Sequence, residues 1–280
     1  MKIDNALKKA NSILKNNYIK SSLLDCELLL SKAINQNREY IILNLDQKIK
    51  EKDYYIFTKL IEERSKGKPI AYLTGKKNFW KYEFDIEENV LIPRPDTELI
   101  IQQVLKIYKN KNSINFLDVG VGSGAILLSI LKEKIGFLGT GIDISNTCLN
   151  VCKKNADKLN VNKRIKLFKS NIDNFHNGKY DLIISNPPYI KKLDLKKLDR
   201  DVRDFEPKLA LNGGLDGLSE IRKIILKSTE LIKKNGKLIL EIAFNQKHEV
   251  KKILKNNGFY ITEVIKDFAK NDRCIISKKI

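Results

Sequence analysis

Residues 180–189 read Tyr180-Asp-Leu-Ile-Ile-Ser-Asn-Pro-Pro-Tyr189. Tyr180 to Ser185 is a short, mostly apolar run of the kind that forms a buried strand. Two prolines then stop it, because neither can donate to a sheet ladder. Asn186-Pro187-Pro188-Tyr189 is therefore a rigid exit from a strand, at the carboxyl edge where open α/β sheets place ligands. Asn186 offers one acceptor and two donors there, and Tyr189 a flat face. A planar NH2 group could be held by the first and covered by the second. Taken alone, Asn-Pro-Pro also serves as plain loop punctuation.

A second motif upstream decides between these. The segment 114–119 runs into Asp118-Val-Gly120-Val121-Gly122-Ser123-Gly124 and then a helical stretch. Glycines let the backbone pass close to a ligand and into the helix start. A second strand ends in Gly141-Ile-Asp143, where an acid can accept both hydroxyls of a ribose. NAD-binding and S-adenosylmethionine-binding proteins share this geometry, and Ala125 even completes G-x-G-x-x-G/A. Asp118 shifts the balance. It is awkward beside a pyrophosphate and well suited to a cationic ammonium such as that of the methionine moiety. No His, Lys or Tyr-Lys pair is placed for hydride chemistry.

From residue 114 onward, strands are expected at 114–119, 136–142, 165–169, 180–185 and 236–243, with helices near 124–134, 146–160 and 218–234. Such alternation gives a mostly parallel sheet covered on both faces. After a helix at 246–257, two strands near 259–267 and 272–280 are joined too tightly for a parallel crossover, so they form an antiparallel hairpin. Residues 1–66 read as amphipathic helices. One is capped by Ser21-Ser22, and another runs from Glu51 to Arg64 until Gly67 and Pro69 end it. Alternating aromatics at 76–92 suit a β-hairpin linker, and Pro93-Arg-Pro-Asp-Thr-Glu98 opens a helix through Tyr108. The expected divisions are 1–75, a helical substrate-binding domain; 76–93, the linker; and 94–280, the catalytic domain.

Composition narrows the class further. At 280 residues the chain can bury a large core and a small second domain, and its net charge is +19. The lysines recur on every polar face, and Asn and Ile are inflated with them. That pattern fits a compositional bias better than a nucleic-acid patch, and no specific nucleic-acid contact is expected. Lys191 to Lys197 reads as a solvated face. Cys26, Cys148, Cys152 and Cys274 are scattered without metal-ligand spacing, so no metal is expected. No apolar signal segment or membrane-length stretch is present, so a cytoplasmic protein without a membrane partner is expected. Nothing suggests an obligate dimer, and a monomer is expected.

A parallel sheet ending in an antiparallel hairpin resembles the class I S-adenosylmethionine-dependent methyltransferases, a doubly wound, mostly parallel, seven-stranded α/β fold. The glycine loop, Asp118 and the Asn-Pro-Pro-Tyr turn together resemble those that methylate an NH2 on a planar, conjugated carbon. The strings Leu91-Ile-Pro-Arg-Pro-Asp-Thr-Glu98, Asn186-Pro-Pro-Tyr-Ile190 and Asp201-Val-Arg-Asp-Phe-Glu-Pro-Lys-Leu-Ala-Leu-Asn-Gly-Gly-Leu-Asp-Gly217 are similar to the release factor glutamine methyltransferase family. Tyr72-Leu-Thr-Gly75, Asp25-Cys-Glu-Leu-Leu-Leu30 and the segment from Asp267 to Ile276 extend the likeness along nearly the whole chain. The resemblance implies S-adenosylmethionine as cofactor. It implies class 1 peptide chain release factors as partners, methylated on the glutamine side-chain nitrogen of their Gly-Gly-Gln loop.

By position, the resemblance assigns cofactor binding to Asp118, Gly120, Val121, Gly122, Ser123, Gly124, Asp143, Asn171, Ile172 and Asn186. It gives Asn186, Pro187 and Tyr189 the catalytic role, with Pro188 and Arg94 also touching substrate. Two departures stand out. Ser170-Asn171-Ile172 holds Asn where the family usually has Asp, and Ala243 replaces the usual Gly after Leu-Glu-Ile. The rival readings are a sibling enzyme acting on a ribosomal protein, an amino-group methyltransferase of RNA or DNA bases, and a non-catalytic module retaining the fold. Arg94-Pro-Asp-Thr-Glu98 favours the release-factor branch.

Overall fold

The computed structural model describes residues 1–280. They fall into two compact units, Met1–Lys76 with Asp199–Phe205, and Lys77–Leu198 with Glu206–Ile280.

The first unit is helical, with helices at Ile3–Asn16, Ser22–Ile34, Arg38–Leu43, Glu51–Ser65, Ile70–Thr74 and Arg200–Phe205. Apolar positions at helical spacing, such as Ile3, Ala6, Leu7, Ala10 and Leu14, turn one face inward onto Cys26, Leu29, Leu30, Ile41 and Phe57. Inside it, buried Arg64 donates to Asp25 Oδ2 at 2.7 Å and to the Lys68 carbonyl at 3.0 Å. Ser21 does precede the second helix, but its side chain makes no capping bond. Its backbone sits outside the extended conformation of a usual N-cap, at φ −90 and ψ 24. The segment Asp199–Phe205 falls within the stretch read from sequence as catalytic domain, yet it clusters with these helices. A side chain at Gly67 would meet the stem of Arg200 at 3.3 Å.

The second unit opens one residue into a hairpin, β1 (Lys76–Phe79) and β2 (Tyr82–Asp85), turned by Trp80 at φ 56. Seven further strands form one sheet: β3 (Asn115–Val119), β4 (Leu138–Asp143), β5 (Ile165–Lys169), β6 (Tyr180–Ser185), β7 (Ile232–Glu241), β8 (Phe259–Lys266) and β9 (Asp272–Lys279). Their order is β5-β4-β3-β6-β7-β9-β8, parallel except where β9 pairs antiparallel with β7 and β8. This is the expected doubly wound, seven-stranded sheet. β3 and β6 lie inside the sheet, buried on both faces, and carry continuous apolar side chains, among them Phe116, Leu117, Leu182, Ile183 and Ile184.

β7 departs from expectation. It begins at Ile232 rather than 236, because Tyr180 pairs with Ile232 while Leu182 pairs with Lys237. The extra residues bulge out around Asn235, whose φ is 65. The chain passes from β3 outward to β4 and β5, then returns to β6 on the other side of β3. The carboxyl ends of β3 and β6 therefore mark a topological switch point of the sheet.

Candidate active site

The glycine loop is shaped mainly by backbone. Gly120 and Val121 both donate to the Ile142 carbonyl, at 2.9 and 3.0 Å, and Gly124 donates to the Val121 carbonyl at 2.9 Å. Gly120, Gly122 and Gly124 have φ of 77, 55 and 84, the left-handed region that favours glycine. Gly124 is the N-cap of helix Ala125–Glu133, and a Cβ there would sit 2.7 Å from Cys152 Sγ and 2.8 Å from Leu128 Cδ1. Nothing lies within 4 Å of a Cβ built at Gly120 or Gly122. Gly124 thus serves close packing, while the first two glycines leave room beside the loop. Val121 and Ser123, within the loop, are buried.

Two acids flank the loop. Asp143, at the end of β4, accepts the Gly122 N–H through Oδ2 at 3.0 Å and the Ser145 N–H through Oδ1 at 2.9 Å. Burial raises its carboxyl despite these bonds. A carboxylate oxygen accepts from more than one donor, as binding a ribose diol there would require. Asp118 is only 1% exposed, and neither of its oxygens has a partner at full hydrogen-bond geometry. Burial pushes it up to about 8, with the Leu127 backbone easing the charge and Asp143 adding to the rise. A buried carboxyl left unpaired is costly. A cationic ammonium would satisfy it, so the donor set fits the methionine end of S-adenosylmethionine.

Asn171 is exposed, and its Oδ1 accepts the Asn174 N–H at 2.9 Å, closing a local turn. Ile172 is 4% exposed and packs into the sheet core with Ile142 and Phe175. Both lie just beyond β5, where the Ser170 N–H donates to the Asp143 carbonyl at 3.0 Å.

The Asn-Pro-Pro-Tyr turn leaves β6 beside the glycine loop. Ser185 Oγ donates to the Val119 carbonyl at 2.7 Å, stitching the two exits together. Asn186 Nδ2 donates to Thr97 Oγ1 at 3.1 Å, which leaves the Oδ1 acceptor for another partner. Pro187 is buried, and Pro188 and Tyr189 are half-buried. The Tyr189 hydroxyl donates to Glu241 Oε1 at 3.3 Å. Burial first, then Glu241, raises the phenol far above its ordinary value, so it stays protonated.

Residues 211–217 brace this turn. The Ile190 N–H donates to the Leu211 carbonyl at 3.0 Å, and Gly213 N–H to the Ile190 carbonyl at 2.8 Å. A Cβ at Gly213 would strike the Pro188 carbonyl at 2.8 Å, and one at Gly217 the Tyr189 carbonyl at 2.5 Å. Buried Gln246 donates through Nε2 to both Tyr189 O and Gly217 O, at 3.0 and 2.9 Å. Asn212-Gly-Gly-Leu-Asp-Gly217 is therefore a backbone cradle for the Asn-Pro-Pro-Tyr turn.

Arg94 is ion-paired with buried Glu206, whose other oxygen accepts the Ile92 N–H at 3.2 Å. It is near enough to act electrostatically on Tyr189. Its guanidinium is thus partly committed to the protein rather than wholly available to a substrate. Thr97, Glu241 and Gln246 had no assigned role in the sequence reading. Thr97 lies in the Arg94-Pro-Asp-Thr-Glu98 motif and Glu241 in Leu-Glu-Ile, whereas no local pattern marks Gln246. Asn155 was also unforeseen. Wholly buried, it donates to Ser123 O at 2.9 Å and Asp85 O at 3.0 Å, tying the β-hairpin to the glycine loop.

A glycine loop and an Asn-Pro-Pro-Tyr turn on neighbouring strand ends of this sheet define a class I methyltransferase. Residues 5–75 match the family model for the PrmC N-terminal domain, and residues 95–206 that for the methyltransferase small domain. The chain belongs to the release factor glutamine methyltransferase family. It is 38% identical over 280 residues to the release factor glutamine methyltransferase of Clostridium acetobutylicum, covering 99% of this chain and 98% of that one. The namesake from Caulobacter vibrioides is 33% identical over 271 residues, covering 96% and 94%. Solved structures share the fold. A methyltransferase from Pyrococcus furiosus aligns with TM-score 0.54 at 18% identity, over 70% of this chain and 88% of that one. The ribosomal protein L11 methylase of Lactobacillus delbrueckii subsp. bulgaricus gives 0.51 at 19% identity, over 73% and 90%. No helix is long and apolar enough to cross a membrane.

Proposed function

We propose that this protein methylates the side-chain amide nitrogen of the glutamine in the Gly-Gly-Gln motif of peptide chain release factors, with S-adenosylmethionine as donor. The observation that carries the reading is the juxtaposition of an orphaned buried Asp118 with an Asn186 whose Oδ1 is left for a partner, on adjacent strands. S-adenosylmethionine, when bound, supplies an electrophilic methyl group on a sulfonium. Gly120 and Gly122 would admit it, Asp118 would take its ammonium and Asp143 its ribose hydroxyls, and Asn171 and Ile172 would border its adenine.

An amide nitrogen is a poor nucleophile because its lone pair is delocalised into the carbonyl. The site must therefore supply alignment and charge placement. Asn186 Oδ1 and the Pro187 carbonyl accept the two amide hydrogens, which lets the nitrogen pyramidalise and aim its lone pair. Tyr189 covers the amide and excludes solvent. The nitrogen–methyl bond forms as the sulfur–methyl bond breaks, and the surplus proton passes from the methylated amide to water. The helical N-terminal domain recognises the release factor, and the enzyme works as a cytoplasmic monomer.

The test is methyl transfer from labelled S-adenosylmethionine to a purified release factor, beside a copy with the Gly-Gly-Gln glutamine changed to alanine. Label on the first alone is expected. Label on both, or transfer only to a ribosomal protein or RNA, would overturn the substrate assignment.

A further inference from the structure

Glu241 ends β7, whose neighbour β6 leads into the acceptor turn. It is 2% exposed, an expensive place for a carboxyl unless its charge is used. Oε1 accepts from the Tyr189 hydroxyl at 3.3 Å. Oε2 has no partner at full hydrogen-bond geometry, although the Thr97 side chain is near enough to favour the ionised form. Thr97 Oγ1 is the atom that accepts from Asn186 Nδ2. A hydroxyl has a single proton. While Thr97 accepts from Asn186, that proton is free to turn towards Glu241. An ionised carboxylate accepts only, so it orders both hydroxyls in one sense. A glutamine would present a donor on one side and so reverse one of them.

We propose that Glu241 is a positioning residue, which fixes the Thr97 and Tyr189 hydroxyls and through them turns Asn186 Oδ1 towards the substrate amide. The role rests on the reading of this site as the glutamine-amide acceptor. It makes the orientation of Asn186 depend on whether Glu241 is ionised. Burial raises that carboxyl to about 7, against the pull of Thr97, Tyr189 and Arg273, with Asp96 adding to the rise. The charged groups around it are themselves coupled. Arg273 lies 3.3 Å from Asp96 and 2.9 Å from Asp267, and Arg94 acts on Tyr189. Cys274, directly opposite Glu241 on β9, is held as a neutral thiol by burial and then by Glu241. Protonated Glu241 would donate to Thr97 and free the Thr97 proton for Asn186. The Asn186 carboxamide then flips and points its NH2 group at the substrate.

The experiment measures kcat at saturating S-adenosylmethionine across pH for the wild type, Glu241→Gln and Glu241→Asp. Wild-type kcat should fall as pH drops through about 7. Glu241→Gln should lower kcat roughly 10- to 100-fold, the scale of losing an orienting outer partner, and lose that acid limb. The cofactor KM should hardly move, and Glu241→Asp should recover part of the rate together with a limb. Wild-type kcat and an unchanged limb in Glu241→Gln would overturn the proposal while leaving the proposed function standing. A readout independent of turnover is the ¹⁵N resonance of the Asn186 carboxamide, identified by its loss in Asn186→Gln. It should titrate with the same midpoint in the wild type and stay static in Glu241→Gln. A signal indifferent to pH and to Glu241→Gln would overturn the proposal even if release factors proved not to be substrates.

Discussion

The glycine loop and the Asn-Pro-Pro-Tyr turn leave neighbouring strands at one end of the same sheet, yet they are built by opposite means. The loop is local. Its shape comes from positive φ at three glycines and from bonds to residues of the adjoining strand, chiefly the Ile142 carbonyl and Asp143. The turn is held from afar. Thr97 lies 89 residues from Asn186, Glu241 lies 52 from Tyr189, and Gln246 lies 57 from it. A backbone loop admits a ligand by its shape and tolerates many side chains beyond the glycines. A turn fixed by side-chain hydrogen bonds aims one acceptor, and single substitutions far away in the chain should mis-aim it.

The largest effect is expected at Asn186. Asn186→Ala removes the acceptor that the Thr97 bond leaves available, without touching the glycine loop or either acid. Turnover should drop roughly 10²- to 10³-fold, as when one preorganised polar contact is deleted from a reacting centre. Cofactor affinity should change far less. Single-turnover methylation and equilibrium dialysis of S-adenosylmethionine separate the two. Near-normal turnover with normal cofactor binding would mean that the turn is structural.

Asp118 tests the other side. Its folded carboxyl, raised to about 8, lies well above its ordinary value near 4. The sign follows from that direction. The raised group contributes stability that is fully present below its unfolded value and is lost as pH rises through the folded one. Asp118→Asn removes this loss. The variant should therefore melt higher relative to the wild type at pH ~8 than at pH ~5, as differential scanning calorimetry will show. It should also bind S-adenosylmethionine more weakly, on the order of 10- to 100-fold, the scale of a charged hydrogen bond. Wild-type binding in the acid range should release a proton, seen as a buffer-dependent heat that vanishes in Asp118→Asn. Stability gained with affinity lost would mark Asp118 as a binding group rather than a packing one.

The same contrast explains what could be read from the sequence. The seven-stranded sheet follows from apolar runs, prolines and glycines whose effects act within a few residues. The β7 start was misplaced because Lys233-Lys-Asn-Gly236 looks like a helix end, whereas the strand has already begun at Ile232 and bulges there. Ser21 carries a capping side chain, but the backbone conformation of the turn decides whether it caps. Arg94 is expected to touch substrate, and only folding reveals Glu206 beside it, 112 residues away. Gln246 sits at the start of an ordinary amphipathic helix, so no local pattern could mark it as the clamp on Tyr189 O and Gly217 O. Local propensity leaves a trace in sequence. A hydrogen-bond partner brought from another strand leaves none in a single chain.

The finest contrast lies within the loop, where two glycines of similar φ face different surroundings. Alanine at Gly124 meets both the left-handed φ and close contacts with Cys152 and Leu128. Alanine at Gly120 meets the φ alone, because the space beside it is open. The conformational cost common to both is about 1–2 kcal/mol. Gly124→Ala should exceed it by roughly 1–3 kcal/mol, since overpacking a filled core forces neighbours off their rotamers. Urea denaturation of the two variants without ligand measures that gap. Cofactor binding should then invert the ranking relative to stability. Gly120→Ala puts a methyl into the space beside the loop, so its loss of affinity should exceed what its stability predicts. Equal costs in both assays would mean that the open side of the loop is not where the ligand passes.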